Sequence, residues 1–246
     1  MQTVVITGGT SGIGLATAKL FLEKGWNTML VGRDHQKGHD VAKQLSEKYS
    51  QNHVAFQQAD ISKATDVKKV YQATINKFQT VDALVNNAGI VIHGELHETS
   101  EQDWDKIFAV DVKGTYLVSK AFLPIMIKNN HGSIVNISSV SGMAGDQAMV
   151  AYNAAKGAII NMTRAMAIDY GKNNIRVNVV APGPTATPLF HQDKQKFAQN
   201  SPLNRIVEPE EVAAAIYFVT SPAASAITGE TIPVTAGFEI STGQPM

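Results

Sequence analysis

Short runs of β-branched and aliphatic residues alternate along this chain with longer stretches of helical period, the pattern of strands and helices in turn. The first apolar run, at residues 2–7, leads into a glycine-dense turn. Residues 15–25 then carry a helical period that ends on Gly25, a residue suited to a helix C-cap. Further strands are predicted at 28–31, 54–61, 81–85, 133–137, 175–180 and 231–234. Pro233 cannot donate a ladder hydrogen bond, which places the last of these at a sheet edge. A helix through Phe78 follows the third strand. One long helix is predicted over 101–128, introduced by Ser100 with Asp103 three residues on, as in a capping box. Its Trp104, Ile107, Phe108, Val112, Leu117, Val118, Phe122 and Ile125 make an apolar surface broad enough to face the sheet on one side and another subunit on the other. Helical residues also take over around 151–158, and Glu208-Pro209-Glu210-Glu211 opens a helix that ends near Ser221-Pro222. The polar stretch 189–202 has no strong period and reads as a substrate lid.

Composition narrows the class. The 246 residues suit one large α/β domain, and no linker-like run or repeat divides them. Basic and acidic side chains balance at 21 each, so the basic face that a nucleic acid needs is missing. With no cysteine there is neither a disulfide nor a thiolate metal site. His35/His39 and His93/His97 are each four apart but lack neighbouring carboxylates or cysteines, and they read as surface or loop residues, so no metal is expected. The chain enters directly into a strand, and no apolar run approaches ~18 residues. The expectation is a soluble cytoplasmic protein with no membrane partner.

Three stretches carry candidate chemistry. Thr7-Gly8-Gly9-Thr10-Ser11-Gly12-Ile13-Gly14 lies between a strand and a helix, the context in which glycines admit a pyrophosphate to the helix N-terminus. The spacing is Gly-x3-Gly-x-Gly, and a tight corner without a ligand would need glycines too. About twenty residues on, the second strand ends at Gly32-Arg33-Asp34, with glycine where an acid would select NAD. This favours NADP(H), with the Arg33 guanidinium on the 2′-phosphate. In the alternative, NAD(H) is bound through Asp34 and Arg33 is merely solvated. In the third stretch, Ser138-Ser139 closes a buried strand, and Tyr152 and Lys156 lie four apart on one helix face. A free phenol titrates near ~10, and a neighbouring ammonium favours its phenolate. With a hydride partner, such a group can trade the proton in alcohol–ketone interconversion. A solvated pair and a turn of serines is the plain alternative. Asp60, at a strand end, is a candidate adenine contact or, with Ser62, a helix cap. Asn86-Asn87-Ala88-Gly89 either lets a cofactor approach closely or is an ordinary turn.

Together these residues resemble the short-chain dehydrogenase/reductase family of the short, single-domain kind, from Thr3 to about Gly237. The motifs are Thr7-Gly8-x3-Gly12-Ile13-Gly14, Asp60-Ile61, Asn86-Asn87-Ala88-Gly89, Ser139, Tyr152-x3-Lys156 and Pro182-Gly183. The resemblance implies a doubly wound, Rossmann-like, mostly parallel seven-stranded sheet with helices on both faces, and NAD(P)(H)-dependent redox chemistry at a carbonyl or hydroxyl. Ser139, thirteen positions before Tyr152, is similar to the family's catalytic serine. Tyr152 resembles its general acid or base, and Lys156 the group that binds the nicotinamide ribose and favours the phenolate. Gly8, Thr10, Ser11, Gly12, Ile13, Gly14, Arg33, Asp60, Ile61, Asn87, Ala88, Gly89, Pro182, Gly183, Thr185 and Thr187 fall where the family binds its cofactor, Thr187 towards the carboxamide or pyrophosphate.

Two positions depart from the family. Asp111 stands where an asparagine often supports a proton relay behind the lysine, and the Asp-Gly-Gly turn near the end reads Thr235-Ala236-Gly237. His93 with Ile92, Met143, Met149, Pro184 and Phe190 would give an apolar substrate mouth, suited to a neutral ketone or secondary alcohol. A homotetramer, the family's common assembly, would account for the apolar helix faces. Two rivals remain at this level. One is a 3-oxoacyl-[acyl-carrier-protein] reductase, whose acidic partner calls for a basic rim that 128–131 and 172–174 supply only thinly. The other, of a different class, is a cofactor-binding regulator without catalysis, which has no chemical need for Ser139, Tyr152 and Lys156 together.

Overall fold

The computed structural model describes residues 1–240; the last six residues of the domain expected over 1–246 lie outside the described range. Seven parallel strands, β1 (Thr3–Thr7), β2 (Asn27–Gly32), β3 (Val54–Gln58), β4 (Ala83–Asn86), β5 (Gly132–Ile137), β6 (Ile175–Pro182) and β7 (Thr231–Val234), form one sheet in the order β3-β2-β1-β4-β5-β6-β7. The order reverses between β1 and β4, the point at which a doubly wound sheet opens a crevice beyond its strand ends. The expected Rossmann-like fold is present. β1, β4 and β5 are buried along their whole length, as central strands covered on both faces must be.

Helices α1 (Gly12–Glu23), α2 (His35–Tyr49) and α8 (Pro209–Thr220) form a layer with Phe21, Trp26, Leu30 and Ile216 in its core. The opposite layer is built from α3 (Ala64–Phe78), α5 (Gly114–Asn129) and α6 (Val150–Tyr170), around Phe78, Leu84, Phe122 and Met126. Pro233 is on the edge strand, where its missing N–H costs nothing.

The long helix expected over 101–128 is not regular. α4 (Glu101–Ile107) runs into a π-helical turn, Phe108–Lys113, before α5 begins. A π turn inserts an extra residue and rotates the helix face that follows, and this one turns Asp111 into the interior, where it is 1% exposed. The sequence shows no proline or glycine pair at the break; Ser100 does cap α4, its Oγ accepting from the Asp103 N–H and donating to Asp103 Oδ2, without the reciprocal backbone bond of the expected capping box. Residues 189–202 are likewise not all irregular: α7 (Lys194–Gln199) starts where Asp193 accepts from the Gln195 and Lys196 N–H groups. Among the described residues no helix is long and apolar enough to cross a membrane.

Candidate active site

β1, β4 and β5 end side by side, and the loops that leave them meet α6 and the π turn. β1 runs into the glycine turn. At the start of α1, Ser11 makes no side-chain cap, so the first-turn N–H groups stay available to an anion. Gly14 sits against the backbone: a β-carbon there would overlap the Gly8 carbonyl oxygen and come within 2.6 Å of Asn87 Nδ2. The loop after β4 forms the other wall. Its Asn87 N–H and Ala88 N–H both donate to Thr7 Oγ1 at 3.0 Å, and Asn87 Nδ2 donates to the Thr7 carbonyl at 2.9 Å. Thr7 therefore clamps the two loops together. The sequence motif begins with Thr7 but gave it no role, although a hydroxyl on the last residue of a buried strand was a usable signal.

Asn86 and Asn87 part company. Asn87 faces the glycine turn, whereas Asn86, one residue earlier and on the other strand face, donates to Ser119 Oγ at 3.0 Å and Asn136 Oδ1 at 2.8 Å inside the α5/α6 layer. Thr10 lies over Gly32 at the end of β2, and Thr187 packs over Gly12, so the segment after β6 closes on the glycine turn. Pro182 is buried, Gly183 lies against Thr235, and Thr185 turns its hydroxyl onto the Gly183 carbonyl at 2.8 Å. Ile13 packs on the core layer, and Ile61 fills the space over Gly114 at the base of α5.

At the adenosine end, Arg33 shares a cleft of about 350 Å³ with Gln58, Asp60, Lys63, Asp66 and Lys69. Lys63 and Lys69 lean on Asp60 and Asp66 at 3.8 and 2.9 Å, and none of the ion pairs among the described residues uses Arg33. Asp34 is the N-cap of α2 and accepts from the Lys37 N–H at 3.0 Å. Asp60 does not cap α3; it accepts from the Ser62 N–H and hydroxyl at 3.1 and 2.7 Å. Burial works against the Asp60 carboxylate, yet those bonds together with Lys63 and Arg33 hold it below the ordinary range.

The acid/base candidates Ser139, Tyr152 and Lys156 stand beyond β5. Ser139 Oγ accepts from the Ser141 N–H at 3.2 Å and lies 3.1 Å from Ser141 Oγ. Ser138 has a different task, donating to the Lys156 carbonyl at 2.8 Å and so pinning α6 to the strand end. Tyr152 and Lys156 share a face of α6, with Lys156 Nζ 5.5 Å from the centre of the Tyr152 ring. Lys156 donates to the Ile137 carbonyl at 3.3 Å and pairs with Asp111 Oδ2 at 3.0 Å, both partners buried. Asp111 Oδ1 accepts from the Ile90 N–H at 2.9 Å. Burial alone would push the Lys156 ammonium towards its neutral form. The Asp111 carboxylate, helped by Tyr152, outweighs it and leaves the lysine above its ordinary value. Gly89 makes room for the pair, since a β-carbon there would stand 2.8 Å from Asp111 Oδ2 and 3.2 Å from Lys156 Nζ.

At the mouth, Gly94 pairs with Met149, and the Gly94 N–H donates to the Ala148 carbonyl at 2.7 Å, so the two loops beside Tyr152 are joined. Phe190 meets Phe197 edge to face at 5.3 Å between ring centres, and Phe197 stacks on Phe238 at 6.0 Å, tying α7 to the end of the described chain. In the departing turn, Ala236 takes a left-handed φ of 56°, the conformation a glycine adopts without strain. The uncapped helix N-terminus, the close-approach glycine turn and the free Arg33 guanidinium fit a dinucleotide running from β2 to Lys156.

A family model described as enoyl-(acyl carrier protein) reductase matches residues 8–239. A meso-2,3-butanediol dehydrogenase of Serratia marcescens is 38% identical over 99% of this chain and 97% of its own. A solved structure described as a short chain dehydrogenase/reductase family protein is 36% identical, with a TM-score of 0.89 over 98% of both chains. A 3-ketoacyl-(acyl-carrier-protein) reductase from Brucella melitensis, solved in complex with NADH, is 33% identical, with a TM-score of 0.91 over 97% of this chain and 98% of that one.

Proposed function

This chain belongs to the short-chain dehydrogenase/reductase family, and on that premise we propose that it is an NADP(H)-dependent reductase interconverting a small neutral ketone and its secondary alcohol. Family membership makes it an oxidoreductase acting at CH–OH/C=O with a nicotinamide cofactor, not a regulator without chemistry. The observation that carries the finer reading is the buried constellation of Lys156 beneath Tyr152, with Ser139 on the adjoining strand end.

A bound reduced nicotinamide supplies the hydride, which no side chain of the protein can. Lys156 holds the nicotinamide ribose and keeps a positive charge beneath the phenol. Ser139 donates to the substrate oxygen and orients it. The Tyr152 hydroxyl gives its proton to that oxygen as negative charge develops there, and in the oxidative direction the tyrosine takes the proton back. Asp111 acts behind the lysine. Ile92, His93, Met143, Met149, Pro184 and Phe190 form an uncharged mouth, and residues around 185–205 serve as a lid on one domain spanning 1–246, with the contacts among Phe190, Phe197 and Phe238 as its hinge-side anchor.

The preference for NADP(H) rests on Arg33. Its guanidinium is not used in an ion pair, Gly32 offers no acid to the ribose, and Asp34 is engaged as a helix cap. Replacing Arg33 by alanine should weaken NADPH at least about tenfold, while NADH changes less than threefold. A binding titration with each reduced cofactor measures this, and equal losses would transfer the assignment to NAD(H), the cofactor described with the similar Brucella structure.

A 3-oxoacyl-[acyl-carrier-protein] reductase is the second reading, supported by the likeness to that structure. The purified protein assayed on ketones, diketones, sugars and acyl thioesters decides between the two, and a thioester rate well above that for simple ketones would replace the first. A homotetramer, formed in the cytoplasm, completes the proposal. Its support is the apolar surface left on the outer faces of α5, α6 and α8, with Ile168 82%, Tyr116 45% and Phe218 44% exposed. Light scattering at micromolar concentration should give four times the chain mass; a monomer would end this part of the proposal.

A further inference from the structure

We propose that Asp111 is a counter-ion that keeps the Tyr152–Lys156 pair loaded with its proton, so that at neutral pH the site is set for carbonyl reduction. The inference rests on the acid/base reading of Tyr152 above. It starts from a peculiarity of this chain: a carboxylate where the family often has a neutral amide.

The carboxylate is not a surface charge that happens to lie near. Asp111 is turned inward by the π turn, is 1% exposed, accepts a hydrogen bond at Oδ1 from the Ile90 N–H at 2.9 Å and is ion-paired at Oδ2 with Lys156 Nζ at 3.0 Å. The absence of a side chain at Gly89 keeps that space open. Among the described residues Asp111 and Lys156 are the only charged side chains that are buried. Glu101, Asp105 and Lys106 of α4 and Lys113 of the π turn are exposed, Asp103 is engaged with Ser100, and Asp146 in the loop before α6 is exposed. From β6, Arg176 reaches away to the carbonyls that end α8. The buried charged groups at the site thus reduce to Asp111 and Lys156, with Tyr152 the titratable group packed against them and His93 exposed at the mouth.

With an amide at 111, the ammonium and the phenol would share a buried site of net charge +1. That charge favours loss of one proton from the pair, whichever group releases it. With a carboxylate the site is neutral while fully protonated, and release leaves an uncompensated negative charge in a buried place. The proton is therefore held to higher pH. Reduction needs the proton present on the pair and oxidation needs it gone, so Asp111 shifts the working range towards reduction.

The test is the pH dependence of ketone reduction by wild type, Asp111→Asn and Asp111→Glu, at saturating reduced cofactor. In D111N the alkaline limb of kcat should move down by about one pH unit or more, while NADPH binding at neutral pH stays within about threefold. D111E keeps the charge but displaces the lysine, so kcat should fall with the limb within about 0.3 pH units of wild type. A direct titration of the cofactor-free proteins supplies a readout apart from turnover: tyrosinate absorbance, with Tyr152→Phe as the blank, and the 13Cε shift of labelled lysine. One of the two signals should move to lower pH in D111N. If D111N does not fold, Asp111→Ser removes the same charge and carries the same expectation. An unmoved limb and unmoved titrations overturn the proposal, as would an equal shift in D111E, which would make geometry the cause. A Tyr152→Phe enzyme that still turns over would instead overturn the acid/base reading beneath it.

Discussion

Tyr152→Phe should lower turnover about 10³-fold or more in either direction while leaving the dissociation constant for NADPH within about threefold. The substitution removes one oxygen and keeps the ring that packs against the cluster of Ile107, Ala151 and Ala155. Neither Ser139 nor Lys156 moves in consequence, because each is held by bonds that do not involve the phenol. Ser139 is held by the Ser141 N–H, and Lys156 by the Ile137 carbonyl and Asp111. Loss of rate without loss of binding is the signature of an interaction made only as charge develops on the substrate oxygen. Steady-state kinetics beside a nicotinamide fluorescence titration reads both quantities. A variant keeping more than about a tenth of wild-type kcat would mean that another group delivers the proton, and Ser139 with its neighbour Ser141 would be the first to examine.

The alternation of apolar runs and helical stretches was enough to anticipate every strand described in the sheet, because short apolar runs bounded by turn residues stand out from amphipathic helices. The spacing of Tyr152 and Lys156 was equally legible, since four residues on a helix leave little freedom. What could not be read was any feature produced by an interruption of the regular period. The π turn at 108–113 has no proline or glycine pair to announce it; the family resemblance alone placed Asp111 behind the lysine, and the turn is what makes it the buried partner of Lys156. Ser139 was singled out from Ser138 only through the family spacing. The two are adjacent and chemically identical, and the difference between Ser138 pinning α6 and Ser139 accepting from the Ser141 N–H arises from the alternation of strand faces at the end of β5. Asn86 and Asn87 part in the same manner. Within the segment expected to be an aperiodic lid, α7 was missed because six residues carry too little periodicity to register.

Gly14→Ala should abolish detectable cofactor binding, a loss of at least about 100-fold, although it adds a single methyl at a helix position where alanine is intrinsically favoured by about 1 kcal/mol. Propensity and packing oppose each other here, and packing wins. The methyl would overlap the Gly8 carbonyl oxygen, lie 2.8 Å from the Gly8 carbonyl carbon and lie 2.6 Å from Asn87 Nδ2. Two of those three atoms are backbone, so no side-chain rotation relieves the contact. Either α1 or the turn at Gly8 must shift, and a shift of either carries away the N–H groups that would hold the pyrophosphate. It also breaks the bonds from Asn87 Nδ2 to the Thr7 and Gly8 carbonyls, at 2.9 and 3.3 Å, which tie the cofactor's two walls together. Overpacking of this kind costs about 1–3 kcal/mol of stability, small enough to leave the protein folded, so circular dichroism should be near normal while the titration with NADPH is flat. Affinity within about fivefold of wild type would mean that the glycine turn is a tight corner and no more. The dinucleotide would then have to lie elsewhere, and the placement of Arg33, Thr187 and Lys156 along one cofactor track would lose its basis.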